Sequence, residues 1–355
     1  MAMTQSEKTD GIGFNWNGWF NFSSGYGIAA LEYACALERI TGKVSVEWER
    51  KSPTVTPEWS EYTEEQKALF LKPFHKEKIG IIKATPDAFA HCTNPYRIGY
   101  TMIESTKMSE RWVKICNSMQ MIFVPSAWLV DIFKENGVKV PIKQVRQGMS
   151  VERYPFMERE ERPIFTFGIA AYLDDRKNWQ DLVRAFMSEF APNEPVRLLL
   201  KNNNSHFGYW QPKDERVRVI HNNYSYKEMT QFYQLLDAFV FVSRGEGAGM
   251  PPREAMATGL PTIVADYSGT AELVRDGCSY GIKPVAVDVV DNRKGEQPGM
   301  LARYDIAEIM YWMRHVYENR QEGKEVGKRA SAWMHKDYNW DECAKVVYGY
   351  LKEIA

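Results

Sequence analysis

The sequence predicts an α/β protein built from two doubly wound parallel-sheet domains. Three observations carry that expectation. Short apolar runs rich in β-branched and aromatic residues alternate with helical segments along the chain, an order that favours parallel strands covered on both faces. The alternation runs twice, on either side of a charged, proline-bracketed stretch at 155–163, PFMEREERP, which reads as an interdomain linker. The 355 residues are long for one core and comfortable for two.

Taken in order, a short strand at 11–14 leads into the loop NWNGWFNFSSGYG and a helix over about 27–40, closed by Gly42. Ile28, Leu31, Ala34, Cys35 and Leu37 give that helix its buried stripe. The aromatics Trp16, Trp19, Phe20 and Phe22 either stack on a sugar or base or pack the loop down. There follow a strand at 43–48, a polar stretch, a helix at 64–74 and a buried strand at 78–85. Next come a strand at 97–103 ending at Glu104, a helix at 110–119, a strand at 121–124, a helix at 127–136 stopped by Gly137, and a strand at 142–145. The second series has strands at 164–170, 196–201, 217–221, 238–242, 262–265 and 281–285. Its helices are expected at 178–190, 226–236, 251–258 and 270–275, with Ser225 and Glu228 spaced as a capping box. Helical segments at 306–320, 324–336 and 341–354 close the chain. The domains are thus expected at 1–158 and 159–338, followed by a last helix in 339–355.

Composition narrows the function classes. Apolar content of 44% and charged content of 26% suit a soluble globular protein, and a net charge of −1 leaves no overall field to draw the chain to nucleic acid or an anionic membrane. The five cysteines are odd in number, far apart and without a C-x-x-C pair, so neither a disulfide nor a zinc framework is expected, and a reducing, cytoplasmic location is favoured. The opening MAMTQSEKTD lacks the apolar core of a signal peptide, and no apolar run is long enough to span a bilayer.

The chemistry is expected in FVSRGEGAGMPPREAMATGLPTIVAD, residues 241–266. It reads as strand, glycine loop (Gly245, Gly247, Gly249), a helix opened by Pro251 and Pro252 with Glu254 in its first turn, Gly259 as the stop, and another strand. Such a unit collects backbone N–H groups and the positive helix end at one point, which suits a phosphate. Glu246 and Glu254 flank that point; carboxylates repel phosphate, so neutral hydroxyls on either side of a diphosphate are their natural partners. Read without context, Glu246 is a loop carboxylate and Glu254 complements a helix dipole.

The whole stretch resembles the E-x7-E segment of the retaining glycosyltransferases of the GT-B fold, the glycosyl transferases group 1. Residues 121–154 resemble that family at the end of its first domain, and YNWDECAKVVYGYLKEI resembles its closing helix. The resemblance implies two Rossmann-like domains facing a cleft, with the C-terminal helix crossing back to the first domain. It implies that Glu246 binds the donor sugar and Glu254 the ribose, with Gly247, Gly249 and Met250 at the helix end also binding the donor. Gly25 and Gly27 match the family's glycine loop in the first domain, which faces the donor. The family supplies an Arg and a Lys for the diphosphate: Lys177 matches the Lys, the Arg position holds Ala171, and the neighbouring Arg176 is the substitute expected here. A fixed cation there stabilises the leaving phosphate more in the transition state than in the ground state. His91 is out of register with the family's His, and Glu104 is read as orienting the acceptor hydroxyl or acting as base, or else as a solvated strand-end carboxylate.

The implied activity is sugar transfer from a nucleotide-sugar to an acceptor hydroxyl with retention. Both Glu residues lie on the donor side, unlike the opposed carboxylates of retaining glycosidases, so front-face attack is expected. No metal and no cofactor are expected: neither Asp174–Asp175 nor Asp288 and Asp291 are bracketed by further ligands. The acceptor is open: a glycan or small molecule is favoured, and a modified nucleic-acid base is possible. The basic run KPFHKEK at 72–78 either touches an anionic acceptor or is a solvated surface. The alternative is a catalytically silent nucleotide-sugar-binding subunit; a phosphorylase would need a pyridoxal phosphate lysine, for which there is no motif.

Overall fold

The computed structural model describes residues 12–20, 24–47, 59–203, 210, 212–222, 224–291 and 297–355. Two compact units divide the chain. The first comprises residues 1–102, 108–148 and 338–355, and the second residues 103–107 and 149–337.

In the first unit the elements are β1 (Phe14–Gly18), α1 (Gly25–Thr41), β2 (Val44–Glu47), α2 (Glu64–Leu71), β3 (Ile79–Lys83), β4 (Tyr96–Tyr100), α3 (Glu110–Cys116), β5 (Met121–Val124), α4 (Ala127–Glu135) and β6 (Ile142–Gln144). The six strands form one sheet in the order β2-β1-β3-β4-β5-β6, parallel throughout. The order reverses between β1 and β3, and a doubly wound sheet binds ligands beyond the carboxyl ends of its strands at such a switch point.

The second unit holds β7 (Phe165–Ala171), α5 (Trp179–Glu189), β8 (Val196–Asn202), β9 (Val217–His221), α6 (Tyr226–Gln234), β10 (Ala238–Phe241), α7 (Met250–Ala257), β11 (Thr262–Ala265), β12 (Tyr280–Ile282), β13 (Ala286–Val290), β14 (Met300–Arg303), α8 (Ile306–Glu318) and α9 (Arg320–Asp337). Its parallel sheet runs β12-β11-β10-β7-β8-β9, so its switch point lies between β7 and β10. Every residue of β7, β10 and β11 is buried, which is why these strands read as continuous apolar runs. The last helix, α10 (Trp340–Ile354), belongs to the first unit: Trp340 meets the edge of Tyr33 at 5.1 Å, and Arg39 of α1 binds Asp341.

Several expectations need correction. The first strand is Phe14–Gly18, not 11–14; Asn15 and Asn17 alternate with buried Phe14 and Trp16, and the amide of Asn15 is satisfied by the carbonyls of Ser45 and His75, so polar residues sit inside the strand. Trp16 is therefore core rather than loop, Phe20 is buried, and Trp19 packs against Tyr26 with ring centroids 5.8 Å apart. Phe22 and Trp48 fall outside the described residues. The helix at 64–74 stops at Leu71, ahead of Pro73, and 270–275 is a 3-10 turn, Ser268–Leu273. The antiparallel ribbon β13–β14 was not anticipated; it carries a register shift between Val287 and Val289 that breaks its period-two pattern. The first unit ends at Gly148 rather than at 158, and the stretch 155–163 lies in the second unit. There Arg159 donates to the carbonyls of Tyr233, Leu236 and Thr258, closing the ends of both α6 and α7, which satisfies helix-terminal carbonyls otherwise left unpaired.

Candidate functional site

The switch point of the second sheet brings two loops together. One leaves β7 and runs through the 3-10 turn Asp175–Lys177; the other leaves β10 and runs through Ser243–Gly249. Asp174 caps the 3-10 turn by accepting from the amide of Lys177, and Asn178, in the left-handed region at φ 54°, ends it. The backbone carbonyl of Arg176 accepts from the amide of Arg244 at 2.8 Å and lies 3.1 Å from Ser243 Oγ, which ties the two loops to each other.

This local geometry answers how two adjacent residues can point to one place. Arg176 Nη1 and Lys177 Nζ each lie 2.5 Å from Glu246 Oε1. Ser243 Oγ donates to the same oxygen at 2.7 Å. Arg176 Nη2 binds Glu104 Oε1 at 3.1 Å. Two cations and two carboxylates thus form one network, with Arg176, Lys177 and Glu246 buried and the Glu104 side chain 26% exposed. Burial pushes the Glu246 carboxyl up, but the charges of Arg176 and Lys177 outweigh it and hold its pKa at about 2. Lys177 is lowered, by burial first and by Arg176 second, against the pull of Glu246 and Glu104.

Glu104 does not sit at a strand end. β4 stops at Tyr100, and residues 103–107 pack with the second unit, where the amide of Glu104 donates to Gln297 Oε1. Gly245 makes that packing possible: a Cβ there would lie 2.1 Å from the Glu104 carbonyl oxygen. Gly249, the residue ahead of α7, adopts φ 75°, open to glycine at little cost, and a Cβ would come within 2.6 Å of Thr270 Cγ2. Met250 is the first residue of α7 and Gly247 is buried in the loop before it. The first turn of α7 contains Pro251 and Pro252 but not Glu254, which comes one turn later. Gly259, at φ 84°, follows the helix as read.

Glu254 stands apart from the ion network. Tyr233 of α6 donates its hydroxyl to Glu254 Oε2 at 2.7 Å. Burial raises the Glu254 pKa, opposed by the tyrosine bond. Lys201, near the carboxyl end of β8, is buried with its pKa lowered by desolvation and raised in part by Glu254. Gly25 and Gly27 open α1 in the first unit, with Ser24 Oγ accepting from the amide of Gly27.

The reading from sequence missed Ser243, Ser268, Tyr233 and Lys201. Ser268 Oγ accepts from the Glu246 amide at 3.0 Å, and Ser268 holds φ 56°, an unusual conformation for a residue with a side chain. Ser243, next to a strand end, carried a usable local signal; Tyr233 bonds Glu254 and Lys201 acts on it electrostatically, both from other elements, and they carried none. Among the described residues no group of three or more His, Cys, Asp or Glu is placed to hold a metal ion.

Residues 164–294 match the family described as "Glycosyl transferases group 1". The chain is 48% identical over 46 residues to the lipopolysaccharide core biosynthesis mannosyltransferase LpsB of Rhizobium meliloti, a match spanning 13% of this chain and 13% of that relative. It is similar in structure to sucrose-phosphate synthase from Thermosynechococcus elongatus (TM-score 0.69, 12% identity, 98% of this chain and 96% of that one). It is also similar to Anabaena Alr3699/HepE, solved in complex with UDP-glucose (TM-score 0.67, 13% identity, 97% and 100%). The fold is that of the GT-B glycosyltransferases, and residues 164–294 match the glycosyl transferases group 1.

Proposed function

We propose that the protein is a retaining glycosyltransferase that moves a sugar from a nucleotide-sugar to an acceptor hydroxyl without a metal ion. The observation that carries this reading is the convergence of Arg176 and Lys177 on Glu246 at the carboxyl ends of β7 and β10. A nucleoside diphosphate sugar suits such a site: its diphosphate can take the two cations, and its hydroxyls the carboxylate. The reported UDP-glucose complex of Alr3699/HepE supports that donor class, and the mannosyltransferase name of LpsB supports hexosyl transfer.

In this reading the four-charge network is the resting state. The incoming diphosphate takes Arg176 and Lys177 from Glu246, and the freed carboxylate accepts hydrogen bonds from sugar hydroxyls. The cations then face the leaving phosphate, where negative charge grows as the glycosidic bond breaks, so they stabilise the transition state over the ground state and supply what a metal would otherwise supply. Backbone amides at Gly247, Gly249 and Met250 complete the phosphate cradle at the start of α7. Glu254, steadied by Tyr233, takes the ribose. Glu104 orients Arg176 and is the candidate group beside the acceptor hydroxyl. The acceptor attacks on the face from which the diphosphate leaves, and the departing phosphate oxygen takes its proton. Gly25 and Gly27, at the start of α1, are assigned to substrate binding. The five cysteines, all buried free thiols, suit a reducing, cytoplasmic setting; among the described residues no helix is long and apolar enough to cross a membrane.

The test is a panel of nucleoside diphosphate sugars assayed for turnover, with the anomeric configuration of the product read by NMR. An α product from an α donor, with turnover lost in Lys177→Ala and in Glu246→Ala, is the expected result. Donor binding without turnover on any acceptor or water would instead mark a nucleotide-sugar-binding subunit.

A further inference from the structure

The first unit contains a buried cation that none of these steps uses. Lys83 is the last residue of β3, at the switch point of the first sheet, and is 0% exposed. Its Nζ has no hydrogen-bond partner and no carboxylate within ion-pair range among the described residues. What surrounds it is aromatic: Nζ lies 3.4 Å from the ring centroid of Tyr100 and 5.5 Å from that of Tyr26. Tyr26 is the second residue of α1, so the lysine ends beside the first turn of a 17-residue helix, whose leading amides have no partner inside the helix. In the neighbouring strand β1, Gly18 pairs with Lys83, and the side chain of Asn17 is buried with neither its oxygen nor its nitrogen bonded. Two strand ends at one switch point therefore carry polar groups without partners.

A structural role does not explain this. A lysine kept for packing lets its ammonium reach water, and a buried ammonium without a counter-charge is expensive. Aromatic faces return only part of that cost. Burial without a counter-charge holds the Lys83 pKa well below the usual lysine range, and an anion bound beside Nζ would favour the charged form again. A helix N-terminus, an unpartnered lysine and a strand-order reversal make the same demand, for an oxyanion. The donor diphosphate already has two cations in the second unit under the function proposed above, and the present inference rests on that reading.

We propose that Lys83, at the carboxyl end of β3, binds an anionic group, a phosphate or carboxylate, carried by the acceptor. The acceptor class narrows accordingly, to molecules bearing a phosphate or carboxylate.

The experiment titrates inorganic phosphate into the full-length protein, with and without saturating UDP, by calorimetry, for the wild type and Lys83→Met. Methionine fills the same space without the charge, and removing an unpaired buried ammonium is expected to raise rather than lower Tm, so a folding failure is distinguishable from a binding one. The expected result is phosphate binding that persists under UDP in the wild type and is weakened at least about tenfold in the variant, a loss typical of one charged hydrogen bond, with UDP affinity unchanged. Equal phosphate affinity in both proteins, or none in the wild type, overturns the proposal. An equal loss of UDP affinity overturns it too, because the site would then belong to the donor. If UDP fails to bind the wild type, the donor reading of the second unit falls, while the titration without UDP still reads Lys83.

Discussion

Replacing Glu246 by glutamine tests the ion network directly. The substitution keeps shape and one acceptor oxygen but removes the charge that Arg176, Lys177 and Ser243 share at 2.5, 2.5 and 2.7 Å. Arg176 keeps Glu104; Lys177 keeps no carboxylate within ion-pair range among the described residues. Leaving one buried charge without its partner costs about 3–5 kcal/mol, which sets the loss expected at pH 7. An acid limb provides an internal check. The folded pKa of Glu246, about 2, lies below its ordinary 4.5. A depressed carboxyl contributes stability that is complete above the unfolded value and is lost as pH falls through the folded one. The window is therefore pH 4.5 down to 2. A shift of that size corresponds to about 3 kcal/mol at 1.36 per unit, in line with the first figure. The assay is guanidinium denaturation of both proteins at pH 7, 4.5 and 3. The wild type is expected to lose midpoint between 4.5 and 3 faster than Glu246→Gln, so that the two converge in acid. Parallel midpoints across that window would refute the claim that Glu246 is held ionised by the two cations.

Three further outcomes are expected. Gly245→Ala places a methyl 2.1 Å from the Glu104 carbonyl oxygen, so residues 103–107 must shift; limited proteolysis should cut there faster, and UDP affinity should fall. Tyr233→Phe removes the hydroxyl that opposes the upward push of burial on Glu254. Losing one hydrogen bond to a buried charged group costs about 1.5–3 kcal/mol, so the donor dissociation constant should rise at least about tenfold, and the affinity of the variant should begin to fall at a higher pH limit as acid protonates Glu254. Arg159→Ala uncaps the carbonyls of Tyr233, Leu236 and Thr258; Tm should drop, with Arg159→Lys unable to restore it because one ammonium cannot span two helix ends.

How much was legible in the chain follows from the range of each force. Strand and helix order is set by period and by local caps, as in the Ser225–Glu228 capping box, where both reciprocal bonds form. Boundaries slipped where a distant partner paid for a local anomaly: Asn15 and Asn17 read as loop, yet the carbonyls of Ser45 and His75 satisfy Asn15 and allow a strand. The glycine loop with Glu246 was visible because its φ demands and close approaches require glycine at fixed positions. The antiparallel ribbon β13–β14 was invisible, its alternation broken by a bulge and interrupted by charged sequence.

By itself the sequence determined the alternating α/β architecture and pointed to the segment proposed to carry the site, because periodicity and backbone sterics act over a few neighbours. Only the tertiary structure decided that Arg176 and Lys177 reach the same oxygen of Glu246, that Glu104 joins the second unit, that Tyr233 holds Glu254, and that Lys83 Nζ has no hydrogen-bond partner among the described residues. Each of those is a meeting of side chains brought together by strand order, and strand order is fixed by how buried faces pack rather than by any one stretch of residues.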